Sequence, residues 1–277
     1  MEKIIIGLDV GISTTKIVGI QGNNLLSPIR IKATDPVSSL YGAFGKFLHD
    51  NKITLDDIDK VMITGVGCAY VNQPIYGCVT ERVDEYIADA LGASYKCDIE
   101  DMIVVSMGTG TTYVKKQGDK IEHIGGLGIG GGSLQGMARV MLKTDDMKEI
   151  SSLAKKGDVK KIDLLIGDIS PKPLPNLPMD VTASLFAKAQ TNSLPEDIAL
   201  GIVHMVLQSI GSGAIFASLN THIKDMVLIG QLSLFPQWKQ YIFPQLEKLY
   251  KVRFHIPQNS LFCTAIGAAI YGKNKKD

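Results

Sequence analysis

The sequence predicts an α/β protein made of two duplicated lobes, each a mixed sheet flanked by helices. Three observations carry this expectation. Short apolar segments rich in β-formers alternate with segments of helical periodicity along the 277 residues, as expected for helices packed on sheets. A glycine-rich hairpin pattern near the N-terminus recurs in the middle of the chain. The hydrophobic content of 45% is enough to bury one large core or two ordinary ones.

Taken in order, "KIIIGLDV" and "TTKIVGIQ" read as strands joined through a turn at Gly11. "GNN" is a turn signal before a further strand in "LLSPIRIKA". "SSLYGAFGKFLHDN" places Leu40, Phe44, Phe47 and Leu48 on one helix face, and "DKVMITGVG" is a short strand closing on glycines. "CVTERVDEYIADALGASY" reads as helical throughout, with Val83, Ile87 and Leu91 four apart. "DMIVVSMGTGTTYVKKQGDKIEHIGG" is strand, glycine turn, strand, turn, strand. "GGGSLQGMARVML" opens a helix at a glycine cluster, and "DMKEISSLAKKG" is another helix. The four prolines of "GDISPKPLPNLPMDVTASLFAKA" mark a loop before a helix start. A long helix around 195–219, the strand "DMVLIG", the helix "WKQYIFPQLEKLY", the strand "KVRFHIP" and the helix "CTAIGAAIYGK" complete the chain.

The internal repeat sets the domain organisation. Asp9-Val-Gly11-Ile-Ser13-Thr14-Thr15-Lys16 lies over Ser106-Met-Gly108-Thr-Gly110-Thr111-Thr112-Tyr113. Gly11 matches Gly108, the Thr-Thr pairs coincide, and a Gln-Gly turn follows each copy (Gln21-Gly22 and Gln117-Gly118). Duplication then divides the chain into an N-terminal lobe of residues 1–95 and a C-terminal lobe of residues 96–277, with a cleft between them.

Composition narrows the function classes. The formal net charge of +1 shows no strongly basic face for nucleic acid, and "YGKNKKD" reads as a solvated tail. Cys68, Cys78, Cys97 and Cys263 lack a CxxC spacing and suit neither a disulfide framework nor a zinc or iron–sulfur site. Reduced thiols and the lack of a basic-then-apolar leader pattern point to a cytoplasmic protein. The apolar segment "IVHMVLQSIGSGAIFASL" carries His204, Gln208 and small polar residues, and reads as a buried helix, not a membrane span.

The glycine turns carry the chemistry. A glycine hairpin aims several backbone N–H groups at one point, and the missing Cβ lets an anion come close. Ser13, Thr14 and Thr15 add hydroxyls, and Lys16 adds a charge. Gly108, Gly110 and Thr111 repeat the device. Two such turns facing each other would grip a polyphosphate. Asp9 would be wrong for an anion alone, but suits one chelated to Mg²⁺, which takes hard oxygen ligands. The reading is therefore a metal–nucleotide site, with ATP and Mg²⁺ as cofactors and Asp9 as metal ligand. Gly130-Gly131-Gly132 opens a helix, whose free N–H groups and dipole favour phosphate or ribose. Gly230 ends a strand before a helix, at the edge where ligands collect in α/β folds.

The ordered set "GLDVGISTTK", "VSMGTGTTY", "IGGLGIGGGSLQG", "LPMDVTASLFAK", "VLIG" and "TAIGAA" resembles the actin-like ATPase superfamily, and within it the type II pantothenate kinases, over nearly the whole chain. The resemblance implies two ribonuclease H-like lobes and ATP-dependent phosphorylation of the primary hydroxyl of pantothenate, the first step of coenzyme A synthesis. It also implies a homodimer, Mg²⁺, and regulation by CoA or an acyl-CoA. It further implies a glutamate as base on the attacking hydroxyl. The matching position is Glu85, followed seven residues later by Gly92. Glu81, one helical turn earlier on the expected helix, is the rival.

By the same resemblance Thr109 and Thr112 contact substrate. One departure stands out: His123 occupies the place of an arginine that pairs with the substrate carboxylate. Histidine lacks the guanidinium fork and is only partly charged near neutrality. A kinase of another hydroxy compound, such as an amino sugar or polyol, therefore stays open. So does a nucleotide-driven activator or binding module, although its iron–sulfur cysteines have no match here.

Overall fold

The computed structural model describes residues 2–32, 35–172 and 174–275. The first sheet is formed by β1 (Ile4–Val10), β2 (Thr14–Gln21), β3 (Asn24–Leu25), β4 (Ile29–Lys32), β5 (Ile58–Thr64) and β6 (Thr80–Arg82). Its order is β3-β2-β1-β5-β6, with β4 also on β2. The β1/β2, β2/β3 and β2/β4 pairs are antiparallel; β1/β5 and β5/β6 are parallel. Between its strands run α1 (Pro36–Asn51) and, after β6, α2 (Glu85–Ala93).

The second sheet contains β7 (Met102–Met107), β8 (Thr111–Gln117), β9 (Lys120–Leu127), β12 (Asp225–Gly230) and β13 (Arg253–His255), in the order β13-β12-β7-β8-β9. Read from its antiparallel end, it repeats the first: third strand, second, first, then two parallel strands. The connection from β9 to β12 holds α3 (Gly131–Met141), α4 (Met147–Ala154), α5 (Val159–Ile162), β10 (Leu164–Leu165), α6 (Ile166–Ile169), β11 (Thr182–Ser184) and α7 (Pro195–Ser218). α8 (Phe243–Tyr250) and α9 (Cys263–Asn274) follow. The expected α/β class and mixed, helix-flanked sheets are present.

Local chemistry explains the element boundaries. Asp35 caps α1 by accepting the Ser38 N–H, Pro36 sits in the first turn, and Lys52 closes the helix in the left-handed region. A π turn, Trp238–Ile242, leads into α8, where Pro244 has no N–H to continue an α ladder. Two expectations need correction. The helix over "CVTERVDEYIADALGASY" starts only at Glu85; Thr80–Arg82 is drawn into parallel pairing with β5. The segment after the prolines pairs as β11 with β10 and does not start a helix, which waits for Pro195. Pro173 of that segment lies outside the described residues.

Alternation along β1 sorts its side chains. Ile4, Ile6, Leu8 and Val10 join Leu40, Phe44 and Phe47 of α1 in one core. The opposite face meets α9, where Val18 and Ile20 pack on Ala265, Ile266 and Ala269. In the second sheet Ile103, Val105 and Met107 face α7, while Met102 and Val104 face Ala90 and Ala93 of α2. The layers therefore run α1, first sheet, α9, α2, second sheet, α7. α2 follows the first sheet yet backs the second, and α9 follows the second yet backs the first. α7 is long and apolar enough to cross a membrane, but its apolar residues fill the second core. The C-terminal lysines are anchored: Lys273 donates to the Gly22 carbonyl, and Lys275 pairs with Glu81 at 2.5 Å. Lys276 and Asp277 lie outside the described residues.

Candidate active site

The β1–β2 and β7–β8 tips meet in one cavity of about 310 Å³ between the sheets. Asp9, Gly11, Ser13, Thr14 and Lys16 line it from one side, and Gly108, Thr109, Gly110, Thr111 and Thr112 from the other. Glu85 at the start of α2 and Gly230 at the end of β12 close the ring. The duplication is visible in its backbone. Gly65 follows β5 at φ +89°, and Gly230 ends β12 at φ +91°. A Cβ on Gly65 would lie 2.7 Å from the Val10 carbonyl oxygen; one on Gly230 would strike the corresponding Met107 oxygen. Each parallel strand thus needs glycine to pass over the end of the first strand of its sheet.

The alignment of the two tips slips by one residue. Asp9 faces Lys16 and Val10 faces Thr15, whereas Ser106 faces Thr112 and Met107 faces Thr111. Thr111 therefore corresponds to Thr15, and Thr112 to Lys16. The first tip is one residue longer and is closed by the Gly11 N–H donating to the Thr14 carbonyl at 3.0 Å. Thr15 is buried and does not line the cavity, whereas its counterpart Thr111, also buried, does.

Gly130, Gly131 and Gly132 do not line the cavity either. The N–H groups of Gly131 and Gly132 donate to the Gly108 and Thr109 carbonyls, each at 2.9 Å. A Cβ on Gly130 would lie 2.6 Å from the Thr109 oxygen. These glycines brace the second tip, helped by Thr111 Oγ1 donating to the Ile129 carbonyl. Close packing, not a free N–H array, is what they supply here. His123 is likewise outside: it is exposed and stacks on Tyr86, ring centroids 4.8 Å apart. Glu81 lies on β6, not on α2, and its partner is Lys275; the shared helix face with Glu85 does not form.

The electrostatics centre on three carboxylates. Lys16 Nζ donates to Asp9 Oδ2 at 2.8 Å in a nearly buried pair. Burial works against the Lys16 charge, but Asp9 more than offsets it and leaves the ammonium above the ordinary lysine range. Glu85 opens to the cleft, yet the walls strip much of its water. That desolvation, with Asp89 and Asp9 nearby, pushes its carboxyl up to about 7. Asp89, one turn along α2, is buried; desolvation lifts it to about 6, opposed by hydrogen bonds from Thr264 (2.6 Å) and Ser106. Sequence reasoning missed Asp89, Thr264 and Gly65. Asp89 was findable by its four-residue spacing from Glu85; Thr264 is brought in only by the return of α9.

The donors suit a hard cation held loosely. Asp9 offers a carboxylate, and Ser13 and Thr14 offer hydroxyls, in the same cavity. No cluster of three His, Cys, Asp or Glu able to cage a metal occurs among the described residues. The Asp9 carboxylate with the Ser13 and Thr14 hydroxyls is a donor set Mg²⁺ could use, since that ion takes one or two carboxylates and keeps waters and phosphate oxygens.

The Fumble family profile matches residues 43–234. The chain belongs to the Fumble family. This Fumble chain is 25% identical to a type II pantothenate kinase of Bacillus cereus, covering 98% of each. It is 26% identical to a type II pantothenate kinase of Staphylococcus aureus, over 64% of this chain and 67% of that one. Among solved structures, an activator of 2-hydroxyisocaproyl-CoA dehydratase from Clostridium difficile with bound ADPNP superposes at TM-score 0.69 and 17% identity, covering 99% and 98%. A ROK family glucokinase from Streptomyces griseus, in complex with glucose and AMPPNP, gives 0.62 at 13% identity, covering 98% and 100%. At such identities these neighbours establish the Fumble chain's fold, the actin-like ATPase fold expected from its motifs.

Proposed function

We propose that the protein is an ATP-dependent kinase that phosphorylates the primary hydroxyl of pantothenate. The observation that carries the reading is the meeting of both hairpin tips with Glu85 around one cavity. Backbone N–H groups and the hydroxyls of Ser13 and Thr14 hold the triphosphate, while Thr109 and Thr112, lining the same cavity, contact the acceptor. Asp9 is the ligand for Mg²⁺, and Lys16 turns from Asp9 to the phosphates. When bound, Mg²⁺ neutralises charge on the phosphoryl oxygens. Glu85 accepts the proton of the acceptor hydroxyl as its oxygen attacks the γ-phosphorus in line with the departing ADP oxygen. Full-length similarity to type II pantothenate kinases supports pantothenate as the acceptor, and the reaction would then be the first step of coenzyme A synthesis. The proposed lobes divide at residues 1–95 and 96–277, with α2 and α9 exchanged across the boundary, and a homodimer enters the proposal through the family resemblance alone.

A coupled ADP-release assay tests this directly. ADP production that requires both pantothenate and Mg²⁺ is expected; none with pantothenate, but turnover with an amino sugar or polyol, would replace the acceptor. Asp9→Asn is expected to raise the Mg²⁺ concentration for half-maximal rate by about tenfold or more, since a neutral amide is a poor ligand for Mg²⁺. An unchanged Mg²⁺ titration would remove Asp9 from the metal.

The pH profile follows from Glu85. A base must be deprotonated, and its carboxyl sits at about 7. The value of kcat/KM should therefore fall roughly tenfold for each pH unit below about 7. A profile flat down to pH 5 would assign the proton transfer elsewhere.

A further inference from the structure

On the side of the cleft away from Glu85, a hydrogen bond joins the two sheets. Arg30 on β4 donates from Nη1 to Gln231 Oε1, between residues 201 positions apart in the chain. Neither residue lines the nucleotide cavity, but each adjoins one that does. Arg30 lies directly across the β2/β4 pair from Lys16, so the two side chains share a face. Gln231 follows Gly230, the last residue of β12. The bond therefore spans the cavity mouth from the first sheet to the second. Lys32, two residues further along β4 and on the same face as Arg30, adds a second attraction across this edge. Arg139 hydrogen-bonds Asp145, in the α3–α4 loop, and holds its carboxyl below the usual carboxylate range; the Lys32 charge adds to that hold.

Sheet order fixes which substrate lies beneath this bond. β4 stands on one side of β2, β1 and β5, and β6 on the other. Glu85 follows β6 and closes the cavity from that side. In-line transfer puts the attacking hydroxyl and the departing ADP oxygen on opposite sides of the γ-phosphorus. With the hydroxyl at Glu85, the ADP moiety runs toward β4 and Gly230, and its way out passes Arg30 and Gln231.

Resting on the kinase reading above, we propose that Arg30 and Gln231 form a latch that holds the two sheets together over the nucleotide and must part for ADP to leave. They are positioning residues: they set the spacing of the β1–β2 and β7–β8 tips without touching the reacting atoms. The acceptor of the bond is a neutral amide, and the bond is exposed to solvent. It therefore closes the cleft reversibly, where a buried ion pair would lock it.

The test measures ADP release. Wild type, Arg30→Met, Gln231→Ala and the double variant are loaded with a fluorescent N-methylanthraniloyl ADP and Mg²⁺, then chased with unlabelled ADP in a stopped-flow instrument. Arg30→Met keeps the length of the side chain without its donors, and Gln231→Ala leaves every charge in place. Each single variant is expected to release the probe about five- to tenfold faster, the worth of one exposed hydrogen bond from a charged donor. The double variant should release it no faster than Arg30→Met, because the bond can be lost only once. KM for the acceptor should change less than about twofold, and the melting temperature should stay at the wild-type value, which general loosening of the fold would not allow. Faster release in Arg30→Met but not in Gln231→Ala would mean that Arg30 retains the nucleotide by its charge alone. Multiplied effects in the double variant would mean that the two residues act separately. Either result overturns the latch, as do unchanged rates. The probe needs no acceptor, so the two hypotheses separate. Wild type that binds ADP without phosphorylating pantothenate loses the acceptor assigned above while the release rates still decide the latch; wild type that binds no ADP loses both.

Discussion

Glu85→Gln should lower kcat by about two to four orders of magnitude, the usual contribution of a positioned general base, while nucleotide affinity stays close to wild type. The substitution is nearly isosteric, and the phosphate contacts come from the hairpin tips, so binding and transfer separate. A second readout follows from linkage. Folding raises the Glu85 pKa from its ordinary 4.5 to about 7. The folded protein therefore holds that proton more tightly than the unfolded chain. The resulting stabilisation is complete below about pH 4.5 and is lost as pH rises through about 7. At pH 8 the wild-type protein carries a charged, partly desolvated carboxylate beside two other acids, and the glutamine variant does not. Glu85→Gln should thus melt at a higher temperature than wild type at pH 8, with the gap closing at pH 5. A dead enzyme that melts lower at pH 8 would point to lost structure; undiminished turnover would remove Glu85 from the role of base.

Much of this site was legible because glycine has few reasons to recur at fixed offsets. The two tips announced themselves through Gly11 and Gly108, and the alternating apolar residues of β1 and β7 fixed which faces were buried. What the sequence hid was spatial. Thr15 and Lys16 are adjacent in sequence but point to opposite faces of β2, so one is buried and the other reaches the cavity. The extra residue in the first tip shifts its register against the second, and only the pairing of Asp9 with Lys16 reveals it. Gly130 to Gly132 look like an anion nest until the Gly131 and Gly132 N–H groups are traced to the neighbouring tip and that of Gly130 to Ser133 Oγ. Glu81 and Glu85 look like one helix face until β6 claims the first of them.

The junction of α2 and α9 should be the least forgiving place in the molecule. Gly92 and Gly267 let the two helices meet backbone to backbone: a Cβ on Gly267 would strike the Ala88 carbonyl oxygen and lie 2.6 Å from the Gly92 nitrogen, and one on Gly92 would strike the Cys263 carbonyl oxygen. Neither obstacle is a side chain that can swing aside, so relief requires the helices to separate. Overpacking commonly costs 1–3 kcal/mol, and a backbone obstacle belongs at or above the top of that range. Gly267→Ala should therefore destabilise by about 3 kcal/mol or more, out of a typical total of about 5–15 kcal/mol. At about 2–4 °C per kcal/mol for chains near this size, the melting temperature should fall by roughly 6–12 °C. Gly42→Ala is the matched control. Gly42 lies in α1, where a Cβ would meet nothing within 4 Å, and alanine there should stabilise by about 0.5–1 kcal/mol. The consequence extends to chemistry, because α2 carries Glu85 and Asp89, and α9 carries Thr264, whose hydroxyl holds Asp89 at 2.6 Å. Spreading the helices moves the base away from the tips, so the Gly267→Ala protein that remains folded should lose kcat as well as stability. Equal melting temperatures for Gly267→Ala and wild type would mean that the helices can part freely, and that their contact does not fix the position of Glu85 over the cleft.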